Sequence, residues 1–287
     1  MKPMTPLFTI RQIQCQYPGS DHPVLEIEHF DIHKGELIFF LGVSGVGKST
    51  LIESLGLMNR TVLNQAGSQL TYHGTNGPVQ LIELWSQSAE QLSQFRAREY
   101  SFIFQSTNLF ERVSLKANAI MPSLAGSQAV DMESKAEQLT QQLLQNVTME
   151  DYRNKTAGSI SGGQKQRLAF IQAMVSSHEV LFGDEPTGNL DWGNAQKVMR
   201  TLRDHLHQNQ KTGLVVSHDV HLSTAFADRI VLMTGRPSPD NEAQQTGEIL
   251  ARNIFTRMDD RWTTPERSLT TVELQNELMS HFEDQAQ

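Results

Sequence analysis

The chain has 287 residues, of which 38% are hydrophobic and 20% are charged, a composition typical of globular rather than disordered proteins. Its formal net charge of −8 argues against a general binder of phosphate backbones, although it does not exclude a local basic patch. The single cysteine, Cys15, excludes an intrachain disulfide and a four-cysteine zinc site. The length allows one large α/β domain or two smaller domains.

The sequence also bears on membrane association. No apolar run approaches the roughly 20 residues needed to span a bilayer, and residues 1–6 lack the apolar core of a signal peptide. We therefore expect a soluble intracellular protein that meets a membrane only through a partner.

Short hydrophobic segments alternate with helical patterns along the chain. The patterns predict a helix that follows residue 50 and runs to about residue 57, and a loop or weak hairpin over 60–80. Strands are predicted over 8–13, 24–30, 37–41, 100–104, 180–182 and 213–216, and further helices over 86–99 and 133–146. Strands that alternate with helices predict an α/β domain with a largely parallel sheet.

The strongest motif is Gly42-x-x-x-x-Gly47-Lys48-Ser49, which lies between a predicted strand and a predicted helix. Its glycines let the backbone curl so that successive N–H groups point at phosphate oxygens. Lys48 supplies a cation for the β- and γ-phosphates, and the Ser49 hydroxyl is a ligand for Mg²⁺. A chance occurrence of this spacing is the alternative, and the flanking strand and helix argue against it. The motif predicts nucleotide binding.

A second acidic element follows the strand predicted over 180–182. Asp184 is placed to hold a Mg²⁺ shell, and Glu185 is placed to polarise an attacking water as a general base. A helix cap or surface turn is the alternative, because Pro186-Thr187-Gly188 comes next. Two acids at the end of a buried strand favour the catalytic interpretation, since burying a carboxylate is costly.

The segment Ile160-Ser161-Gly162-Gly163-Gln164 resembles the signature of ATP-binding-cassette (ABC) ATPases. Further elements follow in that family's order: Tyr17, Gln105, the Gly188–Asp191 segment after the acids, and His218. The resemblance covers most of the chain. It implies an α/β P-loop NTPase core, a small antiparallel β subdomain, and a helical signature subdomain at about 106–165.

The resemblance also implies the site. Two copies would pair head to tail, so that each ATP is clamped between residues 42–50 of one copy and residues 161–164 of the other. Tyr17 would stack on adenine, Gln105 would sense the metal and the nucleotide, and His218 would contact the γ-phosphate. The implied catalytic residues are Glu185, His218 and Gln105, the metal ligands are Ser49, Gln105 and Asp184, and the nucleotide-binding residues are Tyr17, Gly42, Val43, Ser44, Gly45, Val46, Gly47, Lys48, Ser49, Thr50, Ser161, Gly162, Gly163, Gln164 and Asp191.

The string from Asp184 to Asp191 resembles the ATPase subunits of lipoprotein-release, macrolide-export and cell-division systems. It implies an ATP- and Mg²⁺-dependent homodimer beneath a separate permease, on the cytoplasmic face of the inner membrane. An ABC ATPase that regulates a cell-envelope enzyme without transport is the alternative. A degenerate, binding-only cassette is disfavoured by intact Lys48, Asp184, Glu185 and His218.

Two other functions fit the sequence less well. The four histidines at 205, 207, 218 and 221 suggest a metal cluster, but no His-Glu-x-x-His spacing exists. An ATPase of DNA repair or translation is disfavoured because the sequence shows no second cassette, long coiled coil or zinc module. We therefore expect no nucleic-acid partner.

The resemblance implies least about the C-terminal segment after about residue 237. We expect the cassette to cover residues 1–237, with an exposed loop over 237–245 and a C-terminal extension over 238–287. Thr270-Thr271-Val272-Glu273 is a capping-box pattern, and Leu274, Leu278 and Phe282 share one face of a helix over 271–283. This helix is expected to pack on its own domain, with the twin subunit and the permease as alternatives. A chain ending at Gly235 is expected to fold and hydrolyse ATP.

Overall fold

The computed structural model describes residues 6–124, 130–176, 178–238 and 241–284. Over these residues the chain forms fourteen strands, nine α-helices and three short 3₁₀ helices. In chain order they are β1 (Pro6–Cys15), β2 (Leu25–His33), β3 (Leu37–Leu41), α1 (Lys48–Leu55), β4 (Gln69–Gly74), β5 (Gly77–Gln80), α2 (Leu81–Leu84), α3 (Ala89–Glu99), β6 (Tyr100–Ile103), α4 (Leu115–Leu124), α5 (Val130–Asn146), α6 (Gly162–Val175), β7 (Val180–Asp184), α7 (Trp192–Gln208), β8 (Thr212–Val216), α8 (Val220–Phe226), β9 (Arg229–Leu232), β10 (Thr234–Ser238), β11 (Asn241–Glu248), β12 (Ile254–Met258), β13 (Arg261–Thr263), β14 (Ser268–Thr270) and α9 (Thr271–Asp284).

Every predicted strand and helix is present, with bounds that differ by a few residues. The segment over 60–80 contains the β4–β5 hairpin, the second of its two predicted forms. The prediction that residues 1–6 lack the core of a signal peptide falls almost entirely outside the described residues, because residues 1–5 are not among them. Within the described part of the chain, no helix is both long and apolar enough to cross a membrane.

The chain divides into two compact units. The first unit consists of the described parts of Met1–Leu92 and Leu214–Gln287, and the second consists of those of Ser93–Gly213. The division passes through α3 and β8, so that the last three residues of β8 belong to the first unit.

The first unit contains a six-stranded sheet in the order β10-β11-β2-β1-β4-β5, antiparallel except where β11 runs parallel to β2. In β1, Gln12 has a φ of 47° and has no partner in the β2 register, although Arg11 and Ile13 on either side of it do. The β1–β2 register is the same on both sides of Gln12, so no residue is inserted there, but the alternation of buried side chains changes at this position and Ile10 and Ile13 are both buried. The sheet supplies the predicted antiparallel β subdomain.

A second sheet in the same unit has the order β14-β13-β12-β9-β3-β8. β3 and β9 pair in parallel, and all five residues of β3 are buried, as an apolar strand of a covered parallel sheet should be. In the second unit, β6 and β7 also pair in parallel, from Tyr100 opposite Val180 to Ile103 opposite Gly183. The predicted α/β fold with parallel pairing is confirmed.

The C-terminal segment differs from its prediction. Where the structure describes it, the expected loop over 237–245 is instead part of the β10–β11 hairpin, and β11 extends the first sheet by pairing Gly247 with Leu25. β12 joins the second sheet by pairing Phe255 with Ile230 of β9. The loop prediction is wrong because β10 and β11 pair with each other and the edge of β2 takes up the end of β11. The domain boundary at residue 237 stays a prediction, and these pairings are evidence against it.

Helix α9 begins as predicted. The Thr270 backbone N–H donates to Glu273 Oε2 (2.7 Å), and the Glu273 N–H donates to Thr270 Oγ1 (3.2 Å), which is a capping box. Leu274 and Leu278 are both 0% exposed. Gln275 Nε2 donates to Thr224 Oγ1 at 2.7 Å, which joins α9 to α8 of the same unit. The helix therefore packs on its own chain, as the favoured prediction states.

The second unit holds the predicted helical region. α4, α5 and α6 pack together, with Leu143, Leu144 and Phe170 almost fully buried. The buried Asn118 of α4 accepts from the Phe110 N–H (2.8 Å) and donates to the Phe110 carbonyl oxygen (3.0 Å). These bonds hold the loop between β6 and α4 against the helices.

Candidate active site

The loop of residues 42–47 connects the end of β3 to the start of α1. Gly45 and Gly47 have φ values of 83° and 89°, in the left-handed region that favours glycine. Gly47 is the N-cap residue of α1 and has no side chain with which to cap it. The first N–H groups of the helix are therefore directed toward the loop, where an anion is stabilised by those donors and by the helix dipole.

Lys48 lies along this loop. Its Nζ donates to the carbonyl oxygens of Gly42 and Val43, both at 2.8 Å, and the side chain is only 9% exposed. A Cβ at Gly42 would lie 2.7 Å from the Met233 carbonyl oxygen, so that position accepts only glycine without a rearrangement. A glycine-only turn, a cation held on the loop and a helix N-terminus together fit the phosphates of a nucleotide. Ser49 is exposed at the same helix end, as a ligand for a phosphate-bound Mg²⁺ would be.

Two further predicted site residues of the first unit are Tyr17, which lies beside α1, and His218, which follows β8. Tyr17 is 42% exposed, and its hydroxyl is 3.1 Å from Oγ1 of the buried Thr50 in α1. This bond fixes the Tyr17 side chain beside α1 while leaving ring surface open for stacking. β8 is the neighbour of β3, and the Ser217 N–H donates to the Phe40 carbonyl oxygen at 3.2 Å. The exposed His218, which follows β8, therefore lies at the same end of the strands as the loop that follows β3.

The predicted acids lie in the second unit. Asp184 is the last residue of β7, and Glu185 begins the following turn with a φ of 46°. A non-glycine residue held in this region costs on the order of 1–3 kcal/mol, and such strain is concentrated at functional sites. The Gly188 N–H donates to the Glu185 carbonyl oxygen at 3.2 Å and closes the turn. The helix-cap alternative is wrong, because Asp191 is the N-cap of α7. The turn of the other alternative is present, with Asp184 and Glu185 half-buried at its start, and the catalytic role of the two acids stays a prediction.

The signature residues form the start of α6, also in the second unit. Ser161 is the N-cap: its Oγ accepts from the Gln164 N–H (3.4 Å), and Gln164 Oε1 accepts from the Ser161 N–H (2.9 Å). Ser161 and Gly162 are exposed, and a Cβ built at Gly162 meets nothing within 4 Å. This helix start is therefore accessible to a ligand. Gln105 follows β6 and is also exposed.

Asp191 has a capping role that the sequence analysis did not assign. Its carboxylate accepts from the Asn194 N–H (3.0 Å) and from Asn194 Nδ2 (2.6 Å), and these bonds lower the pKa of the Asp191 carboxyl. The predicted nucleotide contact of Asp191 stays a prediction.

Two residues of α6 that received no role also contact this region. Gln166 Nε2 donates to the Pro186 carbonyl oxygen at 2.6 Å. Arg167 Nη1 is 3.3 Å from Asn194 Oδ1 and donates to the Val147 carbonyl oxygen at 2.8 Å. Burial lowers the pKa of the Arg167 guanidinium. Both residues directly follow the signature in sequence, but their contacts are not predicted by a sequence pattern.

Comparison with known proteins identifies the family. The family model described as ABC transporter matches residues 25–188, which is more than half of the chain. The chain belongs to the ABC transporter family. The matched segment includes the loop of residues 42–47, the signature and both acids of this ABC cassette.

Curated relatives agree with this assignment. The macrolide export ATP-binding/permease protein MacB of Escherichia coli strain K12 is 31% identical over 231 residues, which cover 79% of this chain and 33% of MacB. MacB of Bartonella henselae is 32% identical over 250 residues, covering 86% of this chain and 34% of that protein. The cassette thus spans about a third of the length of these relatives.

Solved structures confirm the fold. The dimeric bacterial ABC transporter cassette MJ0796 is similar with a TM-score of 0.65 at 21% identity, over 78% of this chain and 93% of the other. CbiO1 from Clostridium perfringens, part of the CbiONQ transporter complex, gives a TM-score of 0.67 at 20% identity, over 96% and 92%. The predicted family and the predicted ABC ATPase fold are confirmed.

A pair of glycine substitutions tests the phosphate loop. Gly47→Ala places a Cβ 3.1 Å from the Val24 carbonyl oxygen at a φ of 89°, so we expect the loop to shift and ATP affinity to fall about 10-fold or more, since left-handed alanine costs roughly 1–2 kcal/mol. Gly35→Ala is the matched control, because Gly35 has a φ of 85° in the turn before β3 and its Cβ would meet nothing within 4 Å. It should lose similar stability and keep its ATP affinity, as measured by titration with a fluorescent ATP analogue. Equal loss of affinity in both variants would contradict the assignment of the loop.

Proposed function

We propose that this ABC cassette is the ATP-binding and ATP-hydrolysing subunit of a membrane transporter complex, of the export or mechanotransmission type. The observation that carries the proposal is the loop of residues 42–47, in which Lys48 is held against two loop carbonyls at the start of α1. Such a loop binds the phosphates of a nucleoside triphosphate through backbone N–H groups and one cation.

The remaining predicted residues supply the chemistry. Glu185 takes the proton of the attacking water as general base, and His218 contacts the γ-phosphate. Ser49, Gln105 and Asp184 offer the oxygen ligands that Mg²⁺ prefers, and Mg²⁺, when bound, offsets the negative charge of the phosphates. The exposed ring of Tyr17 stacks on the adenine.

We further propose that the active form is a homodimer on the cytoplasmic face of the inner membrane. The exposed start of α6, with Ser161 and Gly162, is a second anion-binding helix terminus, and the ATP bound to one subunit would occupy that of its twin. A dimeric state occurs in the similar MJ0796 cassette. An integral membrane permease is the proposed partner, supported by relatives that are named ATP-binding/permease proteins.

Mixing two inactive variants tests the shared sites. Lys48→Ala removes the phosphate cation, and Ser161→Arg blocks the start of α6 with a bulky side chain. In a mixed dimer, one site collects both lesions and the other has neither, so we expect up to about one quarter of wild-type ATPase activity to return, a value that follows from random pairing and one intact site per heterodimer. Steady-state phosphate release after mixing and subunit exchange measures it.

The control is each variant mixed with itself, which should stay inactive. If each subunit hydrolysed ATP alone, every site in the mixture would carry a lesion and no activity would return. That outcome would contradict the composite site.

A further inference from the structure

Gln166 joins the signature helix to the turn that carries Glu185. Its side chain is fully buried in α6, and Nε2 donates to the Pro186 carbonyl oxygen at 2.6 Å. Pro186, which is also buried, immediately follows Glu185. The first turn of α6 meets the same segment at a second point, because a Cβ at Gly163 would lie 3.3 Å from the Asn189 carbonyl oxygen.

The hydrogen bond from Gln166 restrains the backbone that directly follows Glu185. Proline has no N–H and a ring that locks φ, so its carbonyl is the only backbone group through which a hydrogen bond can hold it. Anchoring that carbonyl, together with the Gly188 N–H on the Glu185 carbonyl, restrains the peptide units after Glu185. Glu185 itself has a φ of 46°, a conformation that persists only where surrounding contacts impose it.

The contact is a poor way to gain stability. Within the described part of the chain, Gln166 Oε1 is buried and has no hydrogen-bond partner. A buried amide that satisfies only one of its two ends is costly, and an apolar side chain of similar size is often equally or more stable at such a site. The need for an amide N–H at this position therefore comes from the turn.

We propose that Gln166 is a positioning residue for Glu185. Through the Pro186 carbonyl it holds the general base in its left-handed turn. The start of α6 and the catalytic acid of the same subunit are thereby rigidly connected. The proposal rests on the proposed function of Glu185. A displacement of about 1 Å in a reacting group can cost on the order of 10²-fold in rate. Loss of this bond should therefore lower kcat, whereas ATP affinity, which depends on the loop of residues 42–47, should be retained.

Two substitutions in the full chain separate positioning from packing. Gln166→Leu removes the donor, and we expect kcat to fall about 10- to 100-fold, KM for ATP to change less than 3-fold and Tm to be unchanged or higher. Gln166→Glu keeps the shape but donates to the Pro186 carbonyl only when protonated. Because burial raises the pKa of a carboxyl, its kcat should approach the wild-type value near about pH 6 and fall at least 10-fold below it by about pH 8.5.

The matched controls are Gln172→Leu and Gln172→Glu. Gln172 lies on the same helix, and its Nε2 donates to a backbone carbonyl, that of Asn118, at 3.0 Å. These variants should follow the wild-type pH profile. Steady-state phosphate release from pH 5.5 to 8.5, with thermal unfolding of each protein, provides the data, in a range where a buried carboxyl titrates.

The outcomes are distinct. If the unsubstituted chain releases no phosphate from ATP, the proposed function fails and the role of Gln166 fails with it. If the chain hydrolyses ATP and Gln166→Glu keeps the wild-type pH profile, or Gln166→Leu keeps kcat within 2-fold, the positioning role alone is overturned. Loss of folding by Gln166→Leu would overturn the stability argument, and the pH profile of Gln166→Glu would still decide the positioning role.

Discussion

Replacement of Glu185 by glutamine is expected to leave ATP binding intact and to slow hydrolysis by about 10²–10⁴-fold, the range typical for loss of a general base. The amide has the shape of the carboxylate but cannot accept the proton of the attacking water. The backbone φ of 46° and the turn closed by Gly188 do not depend on the charge, so the fold of this segment should persist. Single-turnover hydrolysis measures the rate, and size-exclusion chromatography with ATP should show a long-lived dimer.

Glu179→Gln provides the matched control for this experiment. Glu179 immediately precedes β7, at the end opposite to Glu185, and its carboxylate pairs with Lys211 at 2.5 Å. It should lose some stability and keep its turnover. Wild-type turnover in the Glu185→Gln protein would contradict the assignment of the general base, and an equal loss in both variants would show that charge near β7, rather than proton transfer, is responsible.

The parts of the site that the sequence predicts are those fixed by local chemistry. A loop such as residues 42–47 requires glycine where φ is positive, and it requires lysine where phosphate charge must be balanced. Its conformation can therefore be predicted from its sequence. The same holds for the signature, because Ser161 and Gln164 form a capping box within four residues. The predicted strand over 37–41 is equally clear, since a short continuous apolar run is typical of a strand buried on both faces of a parallel sheet.

The parts that the sequence does not predict depend on distant contacts. β11 pairs with the edge of β2, and β12 pairs with the edge of β9. β12 lies more than 20 positions after β9 in the chain, and β11 lies much farther than that from β2. In β11, Asn241, Glu242 and Ala243 belong to residue types that are depleted in strands, so the sequence of this strand gives little indication of it. The role of Gln166 is likewise invisible in sequence, because its contact with Pro186 exists only once α6 and the turn after β7 are packed.

The structure leads to a reversed expectation for a chain that ends at Gly235. Such a chain lacks β11 and β12, and so exposes the edges of β2 and β9, and it also lacks the buried side chains of Phe255, Trp262, Leu274 and Leu278. At roughly 1.5–3 kcal/mol for each side chain, this loss is about 6–12 kcal/mol, which is comparable to the 5–15 kcal/mol stability of a typical domain. We expect the shortened chain to aggregate or to unfold without cooperativity, measured by light scattering and by thermal unfolding.

ATP binding should be lost in the same chain, because the loop of residues 42–47 begins at the end of β3 and β3 pairs with β9, the strand left without its β12 neighbour. Point variants of the full chain calibrate the effect. Leu274→Ala should destabilise by about 2–5 kcal/mol, whereas Val272→Ala, on the same helix but 65% exposed, should change stability by less than about 0.5 kcal/mol. A shortened chain that unfolds cooperatively and binds ATP within a few-fold of the full chain would contradict this account and would support a domain boundary at residue 237.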